Sequence, residues 1–159
     1  MGAMSDDRPG FHLPLLLAGT FRVLIDSLHA ELAKHGHDEA RPLHGFALQA
    51  IGPDGANISE LGRRLGVSKQ AAGKTATGLE HAGYVRRQID PRDRRAWILV
   101  RTERGNEMLT LSARFFQQIA TDWANQIGNR RLQALEDDLQ QIIDRDGGLK
   151  VGDLPGWLR

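Results

Sequence analysis

The stretch from Asn57 to Thr102 restricts the fold more than any other part of the chain, because its hydrophobic period changes from helical to alternating within a few dozen residues. Its first part, ISELGRRL, sets Ile58, Leu61 and Leu65 at helical spacing with Arg63 and Arg64 on the opposite side. Asn57 is a strong N-cap residue, and Glu60 three positions on completes the pattern of a capping box. Gly66 and Val67 then make a tight turn, Ser68 caps a second helix, and Gly83 stops it. On that helix Ala71, Ala72, Thr75, Ala76 and Leu79 form a small apolar side, and Lys69, Gln70, Gly73, Lys74 and Thr77 form the outer side. From Val85 the period shortens. Val85 and Ile89, and on the return run Ala96, Ile98 and Val100, alternate with polar residues as half-buried strands do, around a tip reading Asp90-Pro91-Arg92-Asp93-Arg94-Arg95.

Helix, short turn, helix and β-hairpin, in that order, predict a winged helix-turn-helix, a module that lays its second helix in the DNA major groove. The outer side of that helix carries groups that such a groove accepts. Gln bonds adenine in a bidentate way, Lys reaches guanine or phosphate, and an Ala or Thr methyl meets the thymine methyl. Gly73 stands out, because a glycine inside a helix costs about 1 kcal/mol against alanine. Close approach to DNA would explain it, and so would tight packing against another helix. Three arginines at a hairpin tip are not turn formers, whereas a guanidinium gains from the negative potential of a narrow minor groove. The candidate DNA contacts are therefore Ser68, Lys69, Gln70, Ala71, Gly73, Lys74 and Thr75 on the helix and Arg92, Asp93, Arg94 and Arg95 on the wing, with Asp93 expected to orient Arg94 or Arg95 by a charge pair. Ten basic residues against four acidic ones lie between positions 57 and 102, in a chain whose net charge is only +1, so the flanks are acidic. That asymmetry suits a DNA-reading module carried on a separate scaffold.

The run from Ser59 to Gly105, with LGRRLGVSKQAAGKTATGLEHAGYV, then DPRDRRA, then TERG, resembles the multiple-antibiotic-resistance regulator (MarR) family of bacterial transcription factors. The resemblance implies a homodimer that recognises a palindromic double-stranded operator, most often as a repressor, and is released by a small aromatic or phenolic ligand. It also implies a pocket between the dimer helices and the reading module, for which Phe21, Arg22, His44, Phe46 and Phe115 are candidate lining, although the Phe residues also suit a plain core role. Gly62, where the family usually has Ala, and Arg101, where Leu is common, depart from its pattern. With no cysteine in the chain, the cysteine-based peroxide-sensing branch is excluded.

The flanks read as helices. Pro14 suits a first helical turn, and Leu17, Phe21, Leu24, Leu28 and Leu32 recur at helical spacing up to Lys34, with Leu13, Leu16 and Ile25 widening the stripe. So broad a stripe needs covering by helices near the carboxyl end, partly from a second chain. Pro42 opens a support helix with Leu43, Phe46, Ala47, Ala50 and Ile51 inward, and Gly52-Pro53-Asp54-Gly55 is a firm turn. Thr102 caps a long helix whose face is Met108, Leu111, Phe115, Ile119, Trp123 and Ile127. Gly128-Asn129 breaks it before a last helix with Leu132, Leu135, Leu139, Ile142 and Ile143. The tail from Leu149 carries Val151, Leu154, Trp157 and Leu158, which pack on the body or fray. The fold class expected is mainly α with a small β-hairpin wing. Its parts are an N-terminal dimerisation and support unit over 11–51, the winged helix-turn-helix over 52–102, and dimerisation helices with the tail over 103–159.

No Gly-rich phosphate loop, Gly-x-Ser-x-Gly or His-Glu-x-x-His is present, so an enzyme is not expected, nor is a cofactor. His29, His35, His37 and His44 cluster in sequence beside Asp38 and Glu39, where a zinc site is conceivable on donor type. The loop spacing argues instead for surface histidines and no metal; a metal-responsive regulator stays the alternative, beside an interaction module that binds no DNA. No apolar run is read as membrane-spanning and no signal-peptide pattern is seen, so a cytoplasmic protein without a membrane partner is expected.

Overall fold

The computed structural model describes residues 9–148, and the tail around Trp157 lies outside them. Helices α1 (His12–Lys34), α2 (Pro42–Ile51), α3 (Ile58–Leu65) and α4 (Lys69–His81) precede strands β1 (Val85–Asp90) and β2 (Asp93–Arg101), and α5 (Glu103–Ile127) and α6 (Asn129–Arg145) follow. The architecture is mainly helical with one antiparallel hairpin, a winged helix-turn-helix held between long helices.

Local chemistry sets the boundaries of the reading module. The Asn57 side chain accepts from the Glu60 amide at 2.9 Å, and the Glu60 carboxylate accepts from the Asn57 amide at 2.9 Å. This reciprocal cap satisfies two of the amides that a helix start leaves unpaired. Gly66 ends α3 in the left-handed region at φ +67°, and the Val67 amide then donates to the Gly62 carbonyl. A Cβ on Gly62 would sit 3.1 Å from the Val67 carbonyl oxygen and 3.4 Å from the Ala72 Cβ, so the turn closes tightly over this position. Ser68 caps α4 by accepting from the Ala71 amide, and Thr102 caps α5 by accepting from the Gly105 amide.

One core joins the module to the scaffold. Leu28 and Leu32 of α1, Ala47, Leu48 and Ile51 of α2, Leu61 and Leu65 of α3, Ala72, Ala76 and Leu79 of α4, and Met108 of α5 pack around the buried Tyr84. The face of α2 is rotated from the sequence expectation. His44 and Leu48 are buried with Ala47 and Ile51, while Leu43, Phe46 and Ala50 are only half-buried. Burial of His37 and His44 likewise corrects the reading of these histidines as surface groups, and its cause is Tyr84. His37 Nδ1 lies 3.1 Å from the Tyr84 hydroxyl, and the His44 ring meets the Tyr84 ring edge-on at 5.8 Å. Arg101 also has a place that its sequence did not suggest: its guanidinium donates to the Gly52 carbonyl at 2.8 Å, fixing β2 to the end of α2.

The first half of α1 is different. Leu13, Leu15, Leu16, Leu17 and Val23 are exposed, whereas Ile25, Leu28 and Leu32 are buried. Leu15, Leu16 and Val23 line an open groove of about 510 Å³ with Trp123, Leu132 and Leu135. By length and composition α1 is apolar enough to cross a bilayer, which corrects the reading that no run reaches that length. The lower part of the helix is nevertheless built into the protein core.

Of the described glycines, Gly105 lies closest to a neighbouring backbone, that of Tyr84. A Cβ on Gly105 would lie 2.2 Å from the Tyr84 carbonyl oxygen, a backbone atom that cannot swing aside. Gly105→Ala is therefore expected to lower unfolding stability by about 3 kcal/mol through overpacking. Equilibrium urea denaturation measures this, and a wild-type midpoint would refute it.

Candidate nucleic-acid interface

Helix α4 stands with one side in the core and the other in solvent. Lys69, Gln70, Ala71, Lys74 and Thr77 are exposed, while Ala72, Ala76 and Leu79 are buried. Ala71 thus belongs to the outer side and not the packing side, and Thr75 is intermediate. The hydroxyls of Thr75 and Thr77 donate to the carbonyls of Ala71 and Gly73, so these side chains have already satisfied their donors within the helix. Ser68 is likewise engaged as a cap. A Cβ on Gly73 would meet nothing within 4 Å. Of the two explanations for this glycine, tight packing against another helix of the chain is removed.

The wing begins earlier on its return side than the alternation predicts. β2 starts at Asp93, so Arg94 and Arg95 lie on a strand and only Pro91 and Arg92 lie between the strands. Ile89 faces Trp97 and Asp90 faces Asp93, so the register slips and Arg94, Arg95 and Ala96 stand opposite no residue of β1. Such a bulge re-aims the side chains it carries. Asp90 accepts from the Arg92 amide at 2.8 Å and from its Nε at 3.3 Å, and these bonds hold its carboxyl below the usual carboxylate range. Asp93 accepts from the backbone amide of Arg95 at 3.0 Å, which replaces the expected charge pair with a side-chain-to-backbone turn bond.

The basic residues of the segment divide into two groups. Arg64 donates to the carbonyls of Ala50 and Ile51, Arg87 grips Glu80 through two bonds of 2.9 and 3.1 Å, and Arg101 holds Gly52. These three tie the module together, and Arg92 is engaged by Asp90. Arg63, Lys69, Lys74, Arg86, Arg94 and Arg95 are exposed and make no side-chain bond among the described residues. The second group is the charge left over for a polyanion. Its members come from the end of α3, the first two turns of α4 and the hairpin.

Beside α4 opens a cleft of about 870 Å³, floored by Leu65, Val67 and Ala82 and edged by Arg41, His44, Ala71 and Lys74. His44 spans it: its Nδ1 accepts from the Arg41 amide at 3.3 Å, and a Cβ on Gly78 of α4 would touch its Nε2 at 3.5 Å. Burial lowers the His44 pKa to about 4, with the Arg41 charge and His29 adding to the effect. The five candidate ligand-lining residues are spread out. His44 edges this cleft, and Phe46 lines a separate space of only about 40 Å³ with Ile25 and Phe116. Phe115 meets the His35 ring at a tilt with centroids 5.3 Å apart, Arg22 pairs with Asp26 at 3.5 Å, and Phe21 sits half-buried on α1. Among the described residues, no three histidine or carboxylate groups converge on a point where a metal ion would bind.

A capped helix pair with an exposed basic face, followed by a hairpin with arginines on its bulge, is the arrangement of a winged helix-turn-helix. Residues 42–96 match the sequence model of the MarR family. An uncharacterized protein of Mycobacterium tuberculosis, Rv2011c, is 29% identical over 112 residues, covering 70% of this chain and 76% of that protein. The fold matches FabT of Streptococcus pneumoniae in complex with DNA, at TM-score 0.70 and 17% identity over 83% of this chain and 93% of that one. It also matches CouR of Rhodococcus jostii RHA1 bound to p-coumaroyl-CoA, at TM-score 0.60 and 22% identity over 89% and 95% of the two chains.

Gly73→Ala should stabilise the fold by about 1 kcal/mol, since its methyl meets open space and alanine favours the helix, yet weaken duplex binding by crowding the approach. Thermal denaturation and a duplex titration would separate the two effects, and unchanged binding would return Gly73 to a role without DNA. His44, with a folded pKa below its unfolded value of 6.5, takes up protons more readily in the unfolded chain. Its contribution is present above pH 6.5 and is lost as the pH falls toward 4. His44→Gln keeps an acceptor for the Arg41 amide and should flatten this loss in a melting-temperature series against pH.

Proposed function

We propose that the chain is a ligand-responsive, cytoplasmic DNA-binding transcriptional regulator, a repressor that grips a palindromic operator as a homodimer and has no catalytic activity. One observation carries this reading. Among the described residues, Arg63, Lys69, Lys74, Arg86, Arg94 and Arg95 remain exposed without side-chain bonds on one module, although every other Lys and Arg between positions 57 and 102 is engaged within the fold. Folding alone gives no reason to leave these cations over.

In the proposed mechanism α4 enters the major groove. Gln70 reads a base edge, Lys69 and Lys74 meet guanine or phosphate, Gly73 lets the backbone approach, and Ser68, Ala71 and Thr75 border the contact. Arg94 and Arg95 reach the minor groove or its phosphates, with Arg92 and Asp93 shaping the tip. The exposed leucines of α1 and the groove shared with α5 and α6 support pairing of two copies through these helices. Pairing would space two α4 helices by roughly 34–36 Å, one DNA turn. For a ligand, the cleft beside α4 has the size of a small-molecule site, and a small aromatic or phenolic compound held there would alter the seat of the reading helix. CouR, bound to p-coumaroyl-CoA, shows such a ligand on a similar fold.

Fluorescence titration with duplex from upstream of its own gene, over a range of salt, tests the reading. Wild-type affinity should fall steeply with salt through counterion release. Arg94→Ala should cost at least tenfold in affinity, reduce the salt slope by about 0.9, and leave the sedimentation of the dimer unchanged. Absence of duplex binding at any salt would leave a protein-interaction module instead.

A further inference from the structure

The wing carries an apolar pair that folding does not use. Ile89 and Trp97 stand directly opposite each other in the β1–β2 register, 52% and 60% exposed. Side chains alternate across a strand, so Val85, Arg87 and Ile89 share one face with Leu99 and Trp97. Val85 and Leu99 on that face are in the core, and Arg87 clasps Glu80 of α4. Ile89 and Trp97 therefore continue the core face beyond the edge of the core, on the side of the hairpin tied to the reading helix. A cross-strand pair of this kind stabilises a hairpin by only about 0.2–1 kcal/mol, which a smaller or more polar residue in place of tryptophan would supply without exposing an indole.

We infer that Ile89 and Trp97 form a nonpolar contact to duplex DNA, packing against the sugar walls of the groove that the wing enters. The inference rests on the DNA-binding reading above and adds to it a contact made without charge. Charge complementarity selects the occupant. Arg86 lies on the other face of β1, whereas Arg94 and Arg95 precede Trp97 on the bulged start of β2, both exposed and without a side-chain bond among the described residues. A partner surface that covers the pair must also neutralise these guanidinium groups. A nucleic-acid backbone does both at once, because it alternates phosphates with apolar deoxyribose. A second copy of this wing would set arginine against arginine.

The test uses the full chain with 5-fluorotryptophan at its three tryptophans, the Trp97 resonance being assigned with Trp97→Phe, and a random-sequence duplex as the probe. The expected result is a Trp97 resonance that shifts as duplex is added, together with about a tenfold loss of affinity in Trp97→Ala. In that variant the slope of log affinity against log salt should stay at the wild-type value, because slope counts phosphate contacts. Arg94→Ala, by contrast, should lower the slope. A Trp97 resonance that stays in place at saturation, or wild-type affinity in Trp97→Ala, overturns the inference while leaving the DNA-binding reading intact. A resonance that moves with protein concentration and not with duplex makes the pair a contact between copies, and also overturns it. If Trp97→Ala does not fold, the resonance of the unaltered chain decides. A wild-type chain that binds no duplex removes both readings together.

Discussion

Tyr84 is the residue through which the reading module is fixed to its scaffold. Its amide donates to the Leu79 carbonyl and ends α4, while its carbonyl accepts from the Thr102 amide and starts α5. The hydroxyl reaches His37 in the loop after α1, the ring edge meets His44 of α2, and the Arg104 guanidinium lies 5.3 Å above the ring. Arg104 in turn donates to the carbonyls of Ala82 and Gly36. A residue with no exposure thus touches, through backbone and side chain together, the exits or entrances of α1, α2, α4 and α5. The Gly105 contact sets how closely α5 can approach, so a shift of the long helices relative to α4 has to pass through this one cluster. Tyr84 partners His37 Nδ1, while the buried His37 Nε2 has no hydrogen-bond partner among the described residues, so the geometry between scaffold and reading helix rests on the Tyr84 and Gly105 contacts.

What the chain discloses from its own letters is mostly what acts over three or four residues. The Asn57–Glu60 box, the Ser68 and Thr102 caps and the left-handed Gly66 all obey rules whose donor and acceptor are near neighbours, and the fold shows each of them. The family resemblance extended that to the order of elements. The roles of individual arginines were not legible, because Arg64 serves carbonyls thirteen and fourteen positions away and Arg101 one forty-nine away. Nothing in the local pattern separates a guanidinium that caps a helix end from one that waits for phosphate. His37 was hidden for the same reason, its partner lying forty-seven residues on. The wing failed in a different way: a period-two count cannot survive a bulge, so Arg94 and Arg95 read as loop although they lie on a strand.

The exposed half of α1 follows from the same division. Below Ile25 the helix is held by α2 and α5; above it the leucines remain in solvent, and α6 buries only Leu132 among its described side chains. An exposed apolar face of this kind marks a site of contact with a partner or a membrane. Membrane insertion would require Arg22 and Asp26 to enter the bilayer as well, and it would pull Leu28 and Leu32 out of the core they share with Tyr84. Pairing with a second copy, as proposed above, would need neither.

The cleft beside α4 links these features. Its edge includes Ala71 and Lys74, which sit on the helix that would read DNA, and His44, which leans on both Tyr84 and the Gly78 turn of α4. A molecule seated there would touch the reading surface directly and would press on the cluster that fixes the angle between α4 and the long helices. Coupling between ligand and DNA then needs no long pathway, since the two would compete for one helix flank. Reciprocity holds for any such coupling: a duplex that weakens with ligand must weaken the ligand by the same factor. Because Lys74 borders the cleft as well as facing outward, a ligand with an anionic group would withdraw one of the six free cations at the moment it binds. Occupation and loss of DNA affinity would then be a single electrostatic event on α4.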